Sequence, residues 1–204
     1  MYAFARGTAA VAALLLLAGC AGTPAGTARP PDAPVPAAQA STMTTHAPNT
    51  GPHNAADVMF LQMLVTHHEQ GLTMVRLAAD RATRDEVRTL AAAIEVTQAA
   101  EVETMRSWLR GWGEATEADP AEHLHADHGG LPLTGEDLIG ALDTVSGAEF
   151  EKRFLNLLIG HQHNAVEMAR NQAKYGINPD ARQLAERVDQ SRTAQIQQML
   201  TYLA

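Results

Sequence analysis

This chain repeats itself. An ungapped shift of 94 positions (161 − 67) lays Phe60-Leu61 on Phe154-Leu155, His67 on His161, Met74 on Met168 and Arg76 on Arg170. The register holds into a second segment, where Arg88 meets Arg182, Leu90 meets Leu184, Met105 meets Met199 and Leu109 meets Leu203. One offset kept across two segments marks a duplicated supersecondary unit. Within the unit the apolar residues recur at helical spacing. At about 100° per residue, Met63, His67 and Met74 share a narrow stripe, with Met59 and Phe60 beside it and His68 at its edge. That stripe is the side a bundle helix turns inward. The repeat is therefore a helical hairpin whose interior carries imidazole and thioether.

No stretch alternates with period two, and aromatic residues make up only 4% of the chain. Asn54 with Asp57 opens a first helix running to about Asp80. Thr83 with Glu86 reads as a capping box for a second helix after a very short turn, which makes the two antiparallel neighbours. The buried stripe of the second helix is Val87, Leu90, Ile94, Gln98, Glu101, Met105, Trp108 and Trp112, and Gly111 and Gly113 end it. An irregular polar loop over 113–133 follows, then a short helix capped by Thr134 with Asp137. Ser146 with Glu149 opens the third long helix, which runs to Tyr175 with Gly176 as its C-cap; Asn178-Pro179 opens the fourth. Four long helices in two hairpins with one long crossover predict an all-α, ferritin-like four-helix bundle over residues 54–204.

The first 20 residues have the layout of a signal peptide: Arg6, an apolar run from Ala9 to Ala18, then Leu17-Ala18-Gly19-Cys20. The small residues ending at a cysteine resemble the bacterial lipobox, in which the cysteine becomes lipidated after cleavage. The run is too short to span a bilayer, which takes about 20 helical residues. Cys20 is the only cysteine, so its acylation would leave no thiol for a disulfide or a thiolate metal site. Residues 21–53, rich in Pro, Thr, Ala and Gly, read as a solvated tether holding the domain off a membrane, with His46, His53 and Met43 as passengers. The net charge of −8, from 15 basic and 23 acidic residues, leaves no basic stripe for nucleic acid and is compatible with cations.

Among the inward residues Glu101 is the least expected. A buried carboxylate without a partner costs about 1–3 kcal/mol or more, and His67 or His68 across the hairpin is the obvious partner. A structural His–Glu hydrogen bond would account for such a pair. Against that, imidazole and thioether recur in both repeats, and each repeat sets a methionine on the facing helix, Met105 and Met199. Histidine with methionine and few carboxylates suits copper, particularly Cu(I). The candidate metal ligands are His67, His68, Met63, Met74, Glu101, Met105, His161 and Met168. A di-iron centre is disfavoured, because no Glu stands three residues before a core histidine. A second candidate is the loop set His123, His125 and His128, which could chelate Cu(II) or Zn(II) or could simply be a solvated connector. No nucleophile elbow, phosphate-cradling glycine loop or HExxH motif is present.

The segments Asp57-Val-Met-Phe-Leu-Gln-Met-Leu-Val-Thr-His-His68 running to Met74, Ala100-Glu-Val-Glu-Thr-Met105, Gly147-Ala-Glu-Phe150, Ile159-Gly-His161 and Ala165-Val-Glu-Met168 together resemble the bacterial domain-of-unknown-function family numbered 305. The resemblance covers about residues 54–204. It implies a ferritin-like bundle, usually secreted or lipid-anchored, with copper binding or copper tolerance in several members and no general enzymatic activity. The chain departs from that pattern in its second repeat. His161 is followed by Gln162 rather than a second histidine, and Gln195 stands where the first repeat has Glu101. A metal site carried over from the family is therefore expected in the first hairpin, with His161 and Met168 as contributors. Three functions are consistent with these residues: a lipid-anchored extracytoplasmic copper protein for buffering, tolerance or delivery; a structural or interaction module whose core His, Met and Glu only pack; and an oxidoreductase using a bound metal.

Overall fold

The computed structural model describes residues 49–117 and 134–204. Cys20, most of the tether and the loop histidines His123, His125 and His128 lie outside the described residues. Within them all regular structure is helical: α1 (Ala55–Arg81), α2 (Asp85–Trp112), the short α3 (Glu136–Ala141) with a 3-10 turn Leu142–Thr144, α4 (Gly147–Tyr175) and α5 (Pro179–Leu203). α1 packs along α2 and α4 along α5, and the two hairpins meet chiefly through α1 and α4.

The helix ends show which signals were local. α1 starts on a full capping box: the Asn54 side chain accepts from the Asp57 N–H, and the Asp57 carboxylate accepts from the Asn54 N–H. Asn178 caps α5 through the N–H groups of Asp180 and Ala181, with Pro179 in the first turn. α2 ends at Gly113, whose φ of 78° is the left-handed conformation glycine adopts without a Cβ penalty. Three expected side-chain caps do not form. Thr83 gives its hydroxyl to Glu151 while α2 begins one residue later after Arg84, Thr134 turns to His161, and Ser146 precedes α4 without a side-chain bond. In each case the hydroxyl was free to choose between a local N–H and a partner brought by tertiary packing, or neither.

Asp57 and Glu151, another pair at the 94-residue offset, play the same part at opposite ends of the bundle. Glu151, in the first turn of α4, accepts from the N–H groups of Thr83 and Arg84 in the turn between α1 and α2, at 2.5 and 2.7 Å. Asp57, in the first turn of α1, accepts from the N–H groups of Ile177 and Asn178 in the turn between α4 and α5, at 3.2 Å. Each hairpin thus grips the turn of the other. Hydrogen bonds hold the Glu151 carboxyl at about 2 although burial by itself would raise it.

The apolar residues form two clusters. One contains Met74, Val87, Ile94, Phe150, Phe154, Leu158 and Met199. The other contains Phe60, Met63, Met105, Trp108, Met168 and Leu184. α1 and α5 run from the second cluster to the first, and α2 and α4 run the other way. α2 and α4 are therefore parallel, which is why the crossover between them must be long. Phe150 and Phe154 are fully buried, and burial of such a side chain contributes roughly 1.5–3 kcal/mol. The packed part of the chain begins before residue 54: Asn49 is buried against Asn178, and the His53 ring stacks on Trp112.

Candidate metal centre

On each long helix a polar stretch falls between residues of the two clusters: His67 and His68 on α1, Gln98 and Glu101 on α2, His161 and Gln162 on α4, Arg192 on α5. Together they make a polar layer through the middle of the bundle, and all seven side chains are buried. His68, at the edge of the stripe by periodicity alone, is as deeply buried as His67 because α2 and α5 supply polar groups to meet it.

The duplication is visible inside the layer. His68 Nε2 donates to Glu101 Oε2 at 2.7 Å, and at the same positions of the second repeat Gln162 Nε2 donates to Gln195 Oε1 at 2.6 Å. Between the halves stands Arg192, which is fully buried and donates from Nη2 to Glu101 Oε2 at 2.5 Å. Its counterpart at the 94-residue offset is Gln98. Burial alone would raise the Glu101 carboxyl, but the Arg192 guanidinium, assisted by His68, holds it at about 2. Glu101 is therefore an anion with its counter-charge in place.

The two copies of the repeated histidine meet at the centre. The His67 and His161 rings stack with centroids 3.6 Å apart and planes 14° from parallel. His67 Nε2 donates to the His161 carbonyl oxygen at 3.0 Å, and the Thr134 hydroxyl lies 2.8 Å from His161 Nδ1. Two protonated rings cannot stack so closely in a dry core. Burial, then the neighbouring histidines, pushes His67 well below its ordinary range; burial, then His68 and Arg192, brings His161 to about 3. Burial also lowers His68, against the pull of Glu101. All three imidazoles are neutral at pH 7. Since His67 and His68 use Nε2 as donor, their Nδ1 atoms carry lone pairs. Those two atoms and His161 Nε2 are buried without a hydrogen-bond partner. Gly71 makes room for the cluster: a Cβ there would run into Gln98 Oε1 and come within 3.0 Å of His161 Nε2.

The predicted ligands thus divide. His67, His68, His161 and Glu101 come together in the layer. Met63, Met105 and Met168 lie in the apolar cluster on one side, and Met74 lies with Met199 on the other. Helix polarity explains the division: each repeat's α1- or α4-borne methionine joins the facing-helix methionine of the other repeat. Helical periodicity alone does not place Arg192 and Gln162 in the layer, although both are buried there. The offset itself carried a signal for Arg192, because it pairs this residue with Gln98, which lies on the buried stripe of α2.

Among the described residues no three His, Asp or Glu side chains are grouped to hold one ion. The three imidazole nitrogens buried without a partner are the candidate donors of the layer, nitrogen being a ligand type that copper and zinc both accept. Glu101 fits better as an orienting group than as a ligand, because the same oxygen already accepts from both His68 and Arg192.

Comparison with solved structures places this fold among relatives. A DUF305 protein from Streptomyces coelicolor, named as a secreted protein, superposes with a TM-score of 0.64 at 27% identity, over 71% of this chain and 88% of that one. A DUF305 fragment from Deinococcus radiodurans gives 0.66 at 26% identity, over 75% and 98%. CopM in its Cu(II)-bound form gives 0.60 at 27% identity, over 72% and 94%, and CopM in its Cu(I)-bound form gives 0.57. No curated protein matches the chain. The family model DUF305, a domain of unknown function, matches residues 57–203, and with the helical bundle just described this makes the chain a member of the DUF305 family.

Proposed function

We propose that this protein is a lipid-anchored, extracytoplasmic copper-binding protein that buffers the metal, confers tolerance to it or delivers it. The observation that supports this most is the trio of buried, neutral imidazoles, each keeping one ring nitrogen without a partner. A neutral imidazole with a free lone pair is a metal donor, and buried polar atoms are costly unless something completes them. His67, His68 and His161 would supply nitrogen, and the enclosed thioethers of Met74 or Met105 would supply the soft donors that favour copper. Glu101 keeps the His68 proton on Nε2 and so leaves Nδ1 for the metal, while Arg192 keeps Glu101 ionised. CopM, a relative solved with Cu(I) and Cu(II), supports the choice of metal, and a relative named as secreted supports the location. The anchor would be Cys20, joined to the domain by the tether. Among the described residues no helix is long and apolar enough to cross a membrane.

A second function is favoured by one feature of the layer. The ion pair between Arg192 and Glu101, with His68 on the same oxygen, is complete without metal and would serve a structural or interaction module equally well. Titration of the full chain with Cu(I) against a competing chelator separates the two. His67→Ala, His68→Ala and His161→Ala are each expected to weaken binding by at least ~10-fold, the lower bound for losing even an orienting partner. Unchanged affinity in all three variants would leave the layer structural.

A further inference from the structure

The end of the bundle that holds Met63 and Met168 is open to solvent. A groove of about 1200 Å³ lies between the start of α1, the end of α4 and the residues after α2, and His53, Met59, Met63 and Met168 line it. Met59 and Met63 stand one turn apart on α1, on one face. Met63 and Met168 share the apolar cluster at this end, and Met59 packs against it. His53 approaches from the segment before α1. Its ring stacks on Trp112 at 4.3 Å, and its Nδ1 donates to the Gly51 carbonyl oxygen at 3.3 Å. That bond fixes the proton on Nδ1 and leaves the Nε2 lone pair for another partner.

Methionines at a bundle end are ordinarily core filler. Three further observations set these apart. Met74, Met105 and Met199 are fully enclosed, whereas Met59, Met63 and Met168 form the wall of a groove that an ion can enter. The lining holds no lysine or arginine; of its two exposed carboxylates Glu117 is paired with Arg106 at 2.8 Å, which leaves Glu114 as the acidic group that favours a cation there. The duplication also supplies an internal comparison: at the 94-residue offset Met59 becomes Arg153 and Met63 becomes Leu157. Met59 and Met63 thus belong to one end of the bundle and are not a by-product of the repeat, whereas Met168 is the repeat's counterpart of Met74.

We propose that this groove is a Cu(I) site formed by the thioethers of Met59, Met63 and Met168 with His53 Nε2. Soft thioethers with one imidazole select a soft monovalent ion over Zn(II) or Mg(II). The site rests on the copper affinity proposed above but on none of the core histidines, and its access to solvent makes it the place where copper is loaded or handed on.

The test is nuclear magnetic resonance of the full chain with ¹³C-methyl methionine, titrated with Ag(I) as a redox-inert probe and with Cu(I) under reductant. The methyl signals of Met59, Met63 and Met168 are expected to shift together with the first equivalent, ahead of those of Met74, Met105 and Met199. The triple variant Met59→Leu, Met63→Leu, Met168→Leu, a volume-conserving change that cores tolerate, is expected to lose one equivalent of bound Cu(I). If that variant does not fold, the wild-type methyl shifts decide alone. Wild-type uptake with first shifts confined to the enclosed methionines, or a folded variant with unchanged stoichiometry, would overturn the groove site and leave copper binding standing. Absence of any uptake by the wild-type chain would overturn both.

Discussion

In the first hairpin His68 donates to Glu101, whereas in the second the same two positions hold Gln162 and Gln195. The next pair is exchanged in the opposite sense, with neutral Gln98 in the first hairpin and Arg192 in the second. The ends of the bundle show no such divergence in role, since Asp57 and Glu151 each grip the other hairpin's turn. Even their difference in length is accommodated. The shorter Asp57 is joined by Gln172, which donates at 2.5 Å, and Gly176 leaves the room that a Cβ would fill. Repeated positions that hold backbone geometry have kept their task, while positions in the central polar layer have specialised. The physical reason is the low dielectric of the centre. A carboxylate and a guanidinium in each half would bring like charges together in a dry core, whereas one of each makes a neutral pair.

The sharpest test of that contrast is Glu101→Gln. Pairing the repeats by sequence suggests that this change weakens metal binding but leaves the bundle folded, because Gln195 already occupies the equivalent position. The structure predicts otherwise. Arg192 would be left as a buried, uncompensated charge, a loss of about 3–5 kcal/mol measurable by urea unfolding. Adding Arg192→Gln is expected to restore most of it, because removing both partners of a buried pair is close to neutral. A double variant as unstable as the single one would mean that the pair does not explain the asymmetry.

The next effect concerns what the halves share. Asp57→Asn and Glu151→Gln should each cost about 1–3 kcal/mol, the range for weakening hydrogen bonds to a buried group. Comparable losses in the two denaturation curves would confirm that both ends are clasped alike; a large loss at one end and none at the other would break the symmetry.

The smallest and most gradual effect is with pH. His161 titrates near 6.5 when unfolded and at about 3 when folded, and Glu101 near 4.5 and at about 2. Both native values are depressed, so between the folded and unfolded values the unfolded chain binds more protons and stability rises with pH. Stability should therefore be full above about pH 6.5, fall as His161 and its neighbours favour the protonated, unfolded chain, and fall further below 4.5. His161→Gln should flatten the upper part of this profile in thermal melts, whereas a profile already flat from pH 7 to 5 in the wild type would contradict neutral stacked imidazoles.

The sequence by itself determined the repeat, the four long helices, and the caps at Asn54 and Asn178. It also determined that His67, Met74, Glu101 and their copies face inward. All of these depend on local periodicity or on groups a few residues apart. What it left open was which inward groups meet. Periodicity fixes the face of a helix but not the partner across an axis. Hence the stacking of His67 on His161, the pairing of Arg192 with Glu101, the division of the methionines between two ends and the turn of Thr134 toward His161 were decided only when the hairpins packed antiparallel. At that point burial made every polar group in the layer choose the partner that packing had brought within reach.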